Sequence, residues 1–464
     1  MKKSYIIIAV AATIFAACAG NDSFRDVNKQ QDNAAISFAT FTSKQTRAEN
    51  SGETELNDLE TYNTTFRLWG NKYINKGEKD ANDNIKYDVT PIFGYDEAAT
   101  NKFPGEKVEY KATAVSSLIG NWDYEPIRFW DKTASFYDFY AASPFTPQST
   151  TANGKEDKVW SFDDATKKIS LADFTVSGIN RVTTATNGVA ALDVQTSVDK
   201  AAVMSFEEED LMISTDITRF TDYTYSTTAY ANGVNLQFNH ILSRLNIAIR
   251  KKSPDLDNFT VKLNSVKIYN MHKSGSFNEA SANSESTPAL AEGTIARWTP
   301  GTDKFTPGTM VYNPAEALVI SSTSAASGAS YQYVYEGLVI PQNVGFAKTV
   351  LVNDENKPAT HFVIDGSNAT AESAPYIVIN YEIGTGADDN YKKVDGYEYY
   401  FNLADVFGAT TDAGIDFCEG WQNTLKITLA PVAIKFDAEV YQWDEKFGEN
   451  ASENPKTGTT FDLN

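Results

Sequence analysis

Short runs in which apolar and polar residues alternate with a period of two recur along most of this 464-residue chain, and long stretches with the 3.6-residue period of an amphipathic helix are missing. Residues 34–47 are the first such run. Ile36, Phe38, Thr40 and Thr42 fall on one face, which predicts a strand with Ile36 and Phe38 buried and Ser37 facing outward. Residues 126–130 and 136–140 alternate too and are expected to pair as core strands, ending at Ser143-Pro144. Residues 236–249 carry apolar residues at Leu236 and Phe238, then at Leu245, Ile247 and Ile249, with a change of phase near His240; two strand halves joined by a bulge fit this better than a helix. Alternation returns at Ile377, Ile379, Tyr381 and Ile383, at Tyr399, Phe401 and Leu403, at Leu425, Ile427 and Leu429, and at Ile434, Phe436, Ala438 and Val440.

Polar loops rich in Ser, Ala, Gly and Thr, such as residues 278–293 and 321–330, separate these runs and cannot form core. Strands spaced by long polar loops indicate sandwiches rather than a βαβ sheet. The fold class is therefore all-β. At 464 residues the chain exceeds one domain of about 100–200 residues. The turn-like Tyr230-Ala231-Asn232-Gly233 sets the expected boundary, giving an N-terminal domain over 48–233 and a C-terminal one over 234–443, with residues 444–464 as a tail.

Residues 1–17 read differently. Lys2 and Lys3 precede an apolar run from Ile6 to Ala17, too short to span a hydrocarbon core about 30 Å thick, and small residues close it. Cys18 stands directly after Phe15-Ala16-Ala17, which looks like a bacterial lipobox, in which cleavage leaves an acylated Cys18 as the new N-terminus; the alternative is an ordinary secretory signal that happens to contain a cysteine. Residues 20–33 are mostly polar with no hydrophobic period, as suits a tether, and the segment 18–47, which holds the first strand, is the propeptide if the chain is cut after Arg47. Arg47, followed by Ala48 and the polar, flexible Glu49-Asn50-Ser51-Gly52, is either an accessible cut site for a trypsin-like protease or part of a plain linker.

Composition narrows the function. Aromatic residues make up 12% of the chain, with 24 Tyr and 27 Phe, as pleated half-buried surfaces select. A net charge of −21 with no dense basic cluster excludes nucleic acid as a partner. Beyond Cys18 only Cys418 carries a thiol, so neither an intrachain disulfide framework nor a cysteine-based zinc site can form. The histidines, His240, His272 and His361, make no pair at i, i+4, and neither a Gly-x-Ser-x-Gly elbow, a phosphate-binding loop nor a dinucleotide fingerprint occurs. His240, in an apolar strand, reads as a satisfied structural side chain. Asp80, Asn82 and Asn84 have the spacing of a calcium loop, but Ile85 replaces its turn glycine and the closing Glu is missing. Neither catalysis nor a metal or cofactor is expected.

At Asn239-His240-Ile241-Leu242-Ser243-Arg244-Leu245 and again at Gly420-Trp421-Gln422-Asn423-Thr424-Leu425-Lys426-Ile427 the sequence resembles the fimbrillin family, the pilus subunits of Bacteroidota known as type V pilins. The lipobox, the Thr46-Arg47-Ala48 junction and the closing AIKFDAEVYQW of residues 433–443 agree with it. The resemblance implies two transthyretin-like β-sandwich domains in tandem and export as a lipoprotein to the cell outer membrane, held there by lipid on Cys18. It further implies an arginine-specific protease that cuts between Arg47 and Ala48, loss of the strand bearing Ile36 and Phe38, and assembly with other pilus subunits into a surface fimbrium serving adhesion. A C-terminal strand of the next subunit fills the vacated groove in such assemblies; here that donor would carry Phe461 and Leu463. The alternatives are a tip or anchor component, or a non-polymerising surface lipoprotein that binds glycan through exposed aromatics.

Overall fold

β-Branched and aromatic residues at alternate positions commit this chain to sheets, and sheets are what it builds. The computed structural model describes residues 35–42, 64–113, 118, 120–131, 133–151, 154–176, 210–214, 233–252, 255–281, 295–304, 311–312, 317–320, 332–347, 349–352, 361–364, 374–386, 388–409, 413–430, 433–442, 455–456 and 460–462. Cys18, Arg47, Ala48 and Leu463 lie outside them, as does most of the tail. Among the described residues the one α-helix is the turn Leu403–Val406, capped by Asn402, whose side chain accepts from the Asp405 amide at 3.0 Å. The alternation through Tyr399 and Phe401 therefore ends as a strand at Asn402, and Leu403 buries from the helix.

The largest sheet runs in the order Phe38–Thr42, Val234–His240, Met212–Ser214, Phe136–Ser143, Thr65–Lys79, Glu106–Tyr110 and Trp122–Asp123, with Ile85–Phe93 paired to the distal half of Thr65–Lys79. A six-stranded sheet is centred on Ser243–Lys251 and Trp421–Leu429, which run parallel, and a five-stranded one on Thr260–Tyr269 and Tyr376–Thr385. A four-stranded sheet joins Trp160–Asp163 and Lys168–Thr175 from the first half to Ser274–Asn278 and Trp298–Pro300 from the second. The two halves of the sequence are thus stitched together by a shared sheet.

Three local expectations are corrected. Residues 236–249 hold two strands, but the break at Ile241 and Leu242 is a corner between sheets rather than a bulge within one. At that corner the Ile241 carbonyl accepts from Trp298 Nε1 at 2.6 Å and the Leu242 carbonyl from the Gly420 amide at 2.8 Å, so other elements satisfy the backbone that a ladder abandons. Sheet membership changes here and not at Gly233, so Val234–His240 lies with the first sheet instead of opening the second half. Residues 126–130 form no strand: Pro126 has no N–H for a ladder, and Phe129 makes a single antiparallel bridge, to Ala35, with its side chain 53% exposed.

Phe136–Ser143 is a strand as expected, but it is buried on both faces. Tyr137, Phe139 and Ala141 enter one core with Phe66 and Leu68, whereas Tyr140 and Ala142 enter a second with Trp69, Trp160 and Phe162. Asp138, only 2% exposed, is matched by the Asn71 amide and side chain, Tyr73 Oη and Tyr140 Oη at 2.5–3.2 Å. Asp80 closes the hairpin between Thr65–Lys79 and Ile85–Phe93, accepting from the Asn82 and Asn84 amides at 2.8 and 2.9 Å. Its carboxylate is occupied by turn-making.

Candidate functional site: the seat of the leading strand

Phe38 is the centre of the first core. Its ring, 2% exposed, meets Phe66, Phe93, Tyr124 and Phe139 edge to face, with centroids 6.3, 5.5, 5.7 and 5.8 Å away. These partners come from the strands Thr65–Lys79, Ile85–Phe93 and Phe136–Ser143 and from the segment after Trp122–Asp123, so one side chain ties four parts of the sheet together. Edge-to-face pairs of this kind each add about 0.5–1.5 kcal/mol beyond the area they bury. Ile36 is completely buried. The expectation for these two residues' burial holds, but the one for Ser37 does not: it is 1% exposed rather than outward-facing.

Ser37 is enclosed because the leading strand has neighbours on both sides. On one side Phe38–Thr42 runs parallel to Val234–His240, with Phe38 opposite Val234 and Thr42 opposite Phe238, and the Val234 amide donates to the Ser37 carbonyl at 2.6 Å. Gly233 makes the close approach possible. Its φ of +74° and the 2.9 Å that would separate an added Cβ from the Ser37 oxygen both call for glycine. The turn at Gly233 foreseen from sequence is therefore the shoulder of the leading strand's seat.

On the other side stands a segment from the opposite end of the same sheet. After Trp122–Asp123 the chain crosses to the leading strand, where the Ile36 amide donates to the Arg128 carbonyl at 2.9 Å and Tyr124 Oη donates to the Ile36 carbonyl at 2.6 Å. Burial pushes the Tyr124 hydroxyl up to about 12, which keeps it a donor at any working pH. The sheet therefore curls until its two ends nearly meet, short of a closed barrel, and the leading strand fills the seam. Arg128 fastens the crossing segment: it sits over the Phe93 ring at 4.8 Å and donates to Glu106 Oε1 at 2.7 Å. Burial raises the Glu106 carboxyl, and the nearby guanidinium pulls it back down. A cleft of about 410 Å³ opens beside Ile36, lined also by Lys72, Ile92, Arg128 and Tyr137.

The other expected site residues are placed as follows. Thr460–Asp462 pairs antiparallel with Ala433–Gln442 of its own chain, Phe461 opposite Ile434, and Pro455–Lys456 extends the same edge. The tail and the leading strand are thus held in different sheets. His240 is buried beside Asp210, to which its Nδ1 is hydrogen-bonded. Among the described residues, groups of three or more His, Cys, Asp or Glu that could hold a metal ion are absent. Tyr124, Arg128 and Glu106 escaped the sequence reading, since only the curl of the sheet brings the far end of the strand order to Ile36.

No protein-family model matches the sequence, and no curated protein matches it either. Among solved structures, a fimbrial protein from Bacteroides vulgatus is similar over 89% of this chain and 100% of its own, at 13% identity and a TM-score of 0.49. The tip fimbrial protein of Porphyromonas gingivalis, solved with a C-terminal truncation, is similar over 83% of this chain and 96% of its own, at 8% identity and a TM-score of 0.29. In overall structure the chain is similar, across most of its length, to fimbrial proteins of Bacteroides and Porphyromonas.

Proposed function

We propose that this chain is a structural subunit of a surface fimbrium, exported as a lipoprotein on Cys18 and activated when an arginine-specific protease cuts between Arg47 and Ala48. The observation that carries the reading is the seating of Ile36 and Phe38. A strand with its own aromatic pocket, reached by the chain just upstream of Arg47, is a plug that one peptide-bond cleavage frees. Its departure leaves the backbone groups of Val234–His240 on that side unpaired beside a vacated hydrophobic pocket, and an extended strand from another subunit repairs both. Each anchor refilled adds roughly 1.5–3 kcal/mol. The body would comprise two transthyretin-like sandwiches, with their junction at the corner of Ile241 and Leu242. The donor would be the tail carrying Phe461 and Leu463, which must then leave its own sheet edge.

N-terminal sequencing of surface-extracted protein tests the first step, with Ala48 the expected start. Arg47→Ala should keep the full lipidated chain and hold it monomeric. Normal assembly by that variant would overturn the proposal.

A further inference from the structure

The leading strand does not lie on a free sheet edge. One flank is the parallel ladder to Val234–His240, and the other is the segment 122–131, which reaches Ile36 from the far end of the strand order. That segment grips backbone rather than side chain. It takes the Ile36 amide at 2.9 Å through the Arg128 carbonyl, gives the Tyr124 hydroxyl to the Ile36 carbonyl at 2.6 Å, and bridges Ala35 through Phe129. Backbone contacts of this kind are indifferent to sequence, so the same segment could receive any strand laid in the seam.

Two features set how it is held. Beyond Trp122–Asp123 it joins no ladder among the described residues, its tie to the sheet there being short. At its middle it is fastened by one polar contact to a neighbouring strand, Arg128 to Glu106 at 2.7 Å, with the two side chains 26% and 11% exposed. An ion pair so shielded from water has the strength of a charge-assisted hydrogen bond rather than of an exposed surface pair. The other holds are the Arg128 guanidinium over Phe93, the Lys72–Asp131 pair at 2.8 Å, the Asp131 amide on Tyr137 Oη at 2.7 Å, and the rings of Trp122, Tyr124 and Trp130, which are buried in the first core.

We propose that residues 122–131 form a strap whose Arg128–Glu106 latch controls exchange of the leading strand: the strand cannot leave, and a replacement cannot enter, until the strap lifts from Ile36. This rests on the strand-exchange reading above and adds its gate. Sideways escape is blocked on one flank by the ladder to Val234–His240 and on the other by the strap, so the strand's release rate is set by opening of the strap, the flank without a regular ladder.

The test uses the whole protein, first uncut and then cut after Arg47. In the uncut protein, hydrogen exchange at the Ile36 amide reports strap opening. After cutting, size-exclusion chromatography with mass spectrometry reports departure of the fragment ending at Arg47. Glu106→Gln should speed both processes about tenfold and Arg128→Met, which also removes the cation over Phe93, at least as much, and the double variant should be no faster than Arg128→Met alone, because the pair is already lost there. Tyr124→Phe keeps the packed ring and removes only the hydroxyl, so it should speed Ile36 exchange without disturbing the fold. Lys111→Gln, which breaks the exposed pair with Glu109 on the same sheet, should change neither. Unaltered exchange and release in the Glu106, Arg128 and Tyr124 variants, in protein whose fragment does depart, would overturn the strap alone. A fragment that stays bound in every protein, even where Ile36 exchange rises, would overturn the strand-exchange reading and the gate with it.

Discussion

Replacing Phe38 by alanine probes the seat most directly. The ring is 2% exposed and touches aromatic residues on four separate parts of the first sheet, so its removal leaves a cavity that none of them can collapse into without breaking another edge-to-face pair. Phe→Ala in such a site costs about 3–5 kcal/mol. With a urea slope of about 1–3 kcal/mol per molar, that is a midpoint shift of roughly 1–5 M for the first sheet. Trp122 and Trp130 lie in the same core as Phe38 and report on it by fluorescence, while Trp298 belongs to the other core, so a two-step transition should lose only its first step. Phe129→Ala, next to the same strand but 53% exposed, is the control and should stay within about 0.5 kcal/mol of wild type. A Phe38→Ala shift no larger than that of Phe129→Ala would refute the claim that the leading strand fills the core.

Gly233→Ala should loosen the leading strand by about 1–3 kcal/mol, since a Cβ there is both left-handed and 2.9 Å from the Ser37 oxygen, whereas Gly77→Ala, at φ +70° with open space around it, should pay the backbone term without touching the seat; Ile36 hydrogen exchange separates the two. Glu419, buried against Arg297, is pushed by burial from the usual 4.5 up to about 7, so between those values the folded protein holds a proton that the unfolded chain has released, and this group withdraws stability as pH rises through that window. Denaturation midpoints measured from pH 5 to 7.5 should therefore fall more steeply for wild type than for the double replacement of Arg297→Met with Glu419→Leu; parallel slopes would reject the assignment. Deleting residues 457–464 should leave the monomer folded, with unchanged near-ultraviolet circular dichroism, and abolish heat-labile ladders on a denaturing gel; persisting ladders would remove the tail as donor.

What the sequence made legible follows from how local each signal is. Ile377, Ile379 and Tyr381 are legible as core because a strand with one mainly buried face writes its burial into every second residue; Leu425, Ile427 and Leu429 are buried too, but their strand also buries Gln422, Asn423 and Thr424, which alternation does not signal. Phe136–Ser143 showed the limit of that reading, since a strand packed against two cores buries both its faces and alternation no longer tells which side is which. The corner at Ile241 and Leu242 was invisible for a different reason. Its backbone partners, Trp298 and Gly420, lie far along the chain, and a phase change alone cannot distinguish a bulge from a strand that switches sheets. The seat of the leading strand was half legible: Ile36 and Phe38 announced themselves by spacing, whereas Tyr124 and Arg128 depend on a curl of the whole sheet that no local pattern encodes.

The two segments on which the proposed exchange turns are held by different physics, and the difference sets an order of events. Among the described residues the tail pairs with one strand, the edge of Ala433–Gln442, and part of that pairing runs through Pro455, which has no N–H to donate. Net hydrogen bonds of about 0.5–1.5 kcal/mol each, few in number and weighed against the entropy of ordering the segment, leave such an edge close to balance. It can therefore open while the chain is intact. The leading strand has a ladder on one flank, the strap on the other and Phe38 in an aromatic pocket, and while it remains covalently part of the chain any opening is followed by rapid return. Under the proposal, cleavage after Arg47 would remove that return path, because a fragment once dissociated is diluted into solution. A subunit would then offer its tail at any time but accept one only after the cut, and this asymmetry would keep uncut precursors from polymerising before they reach the surface.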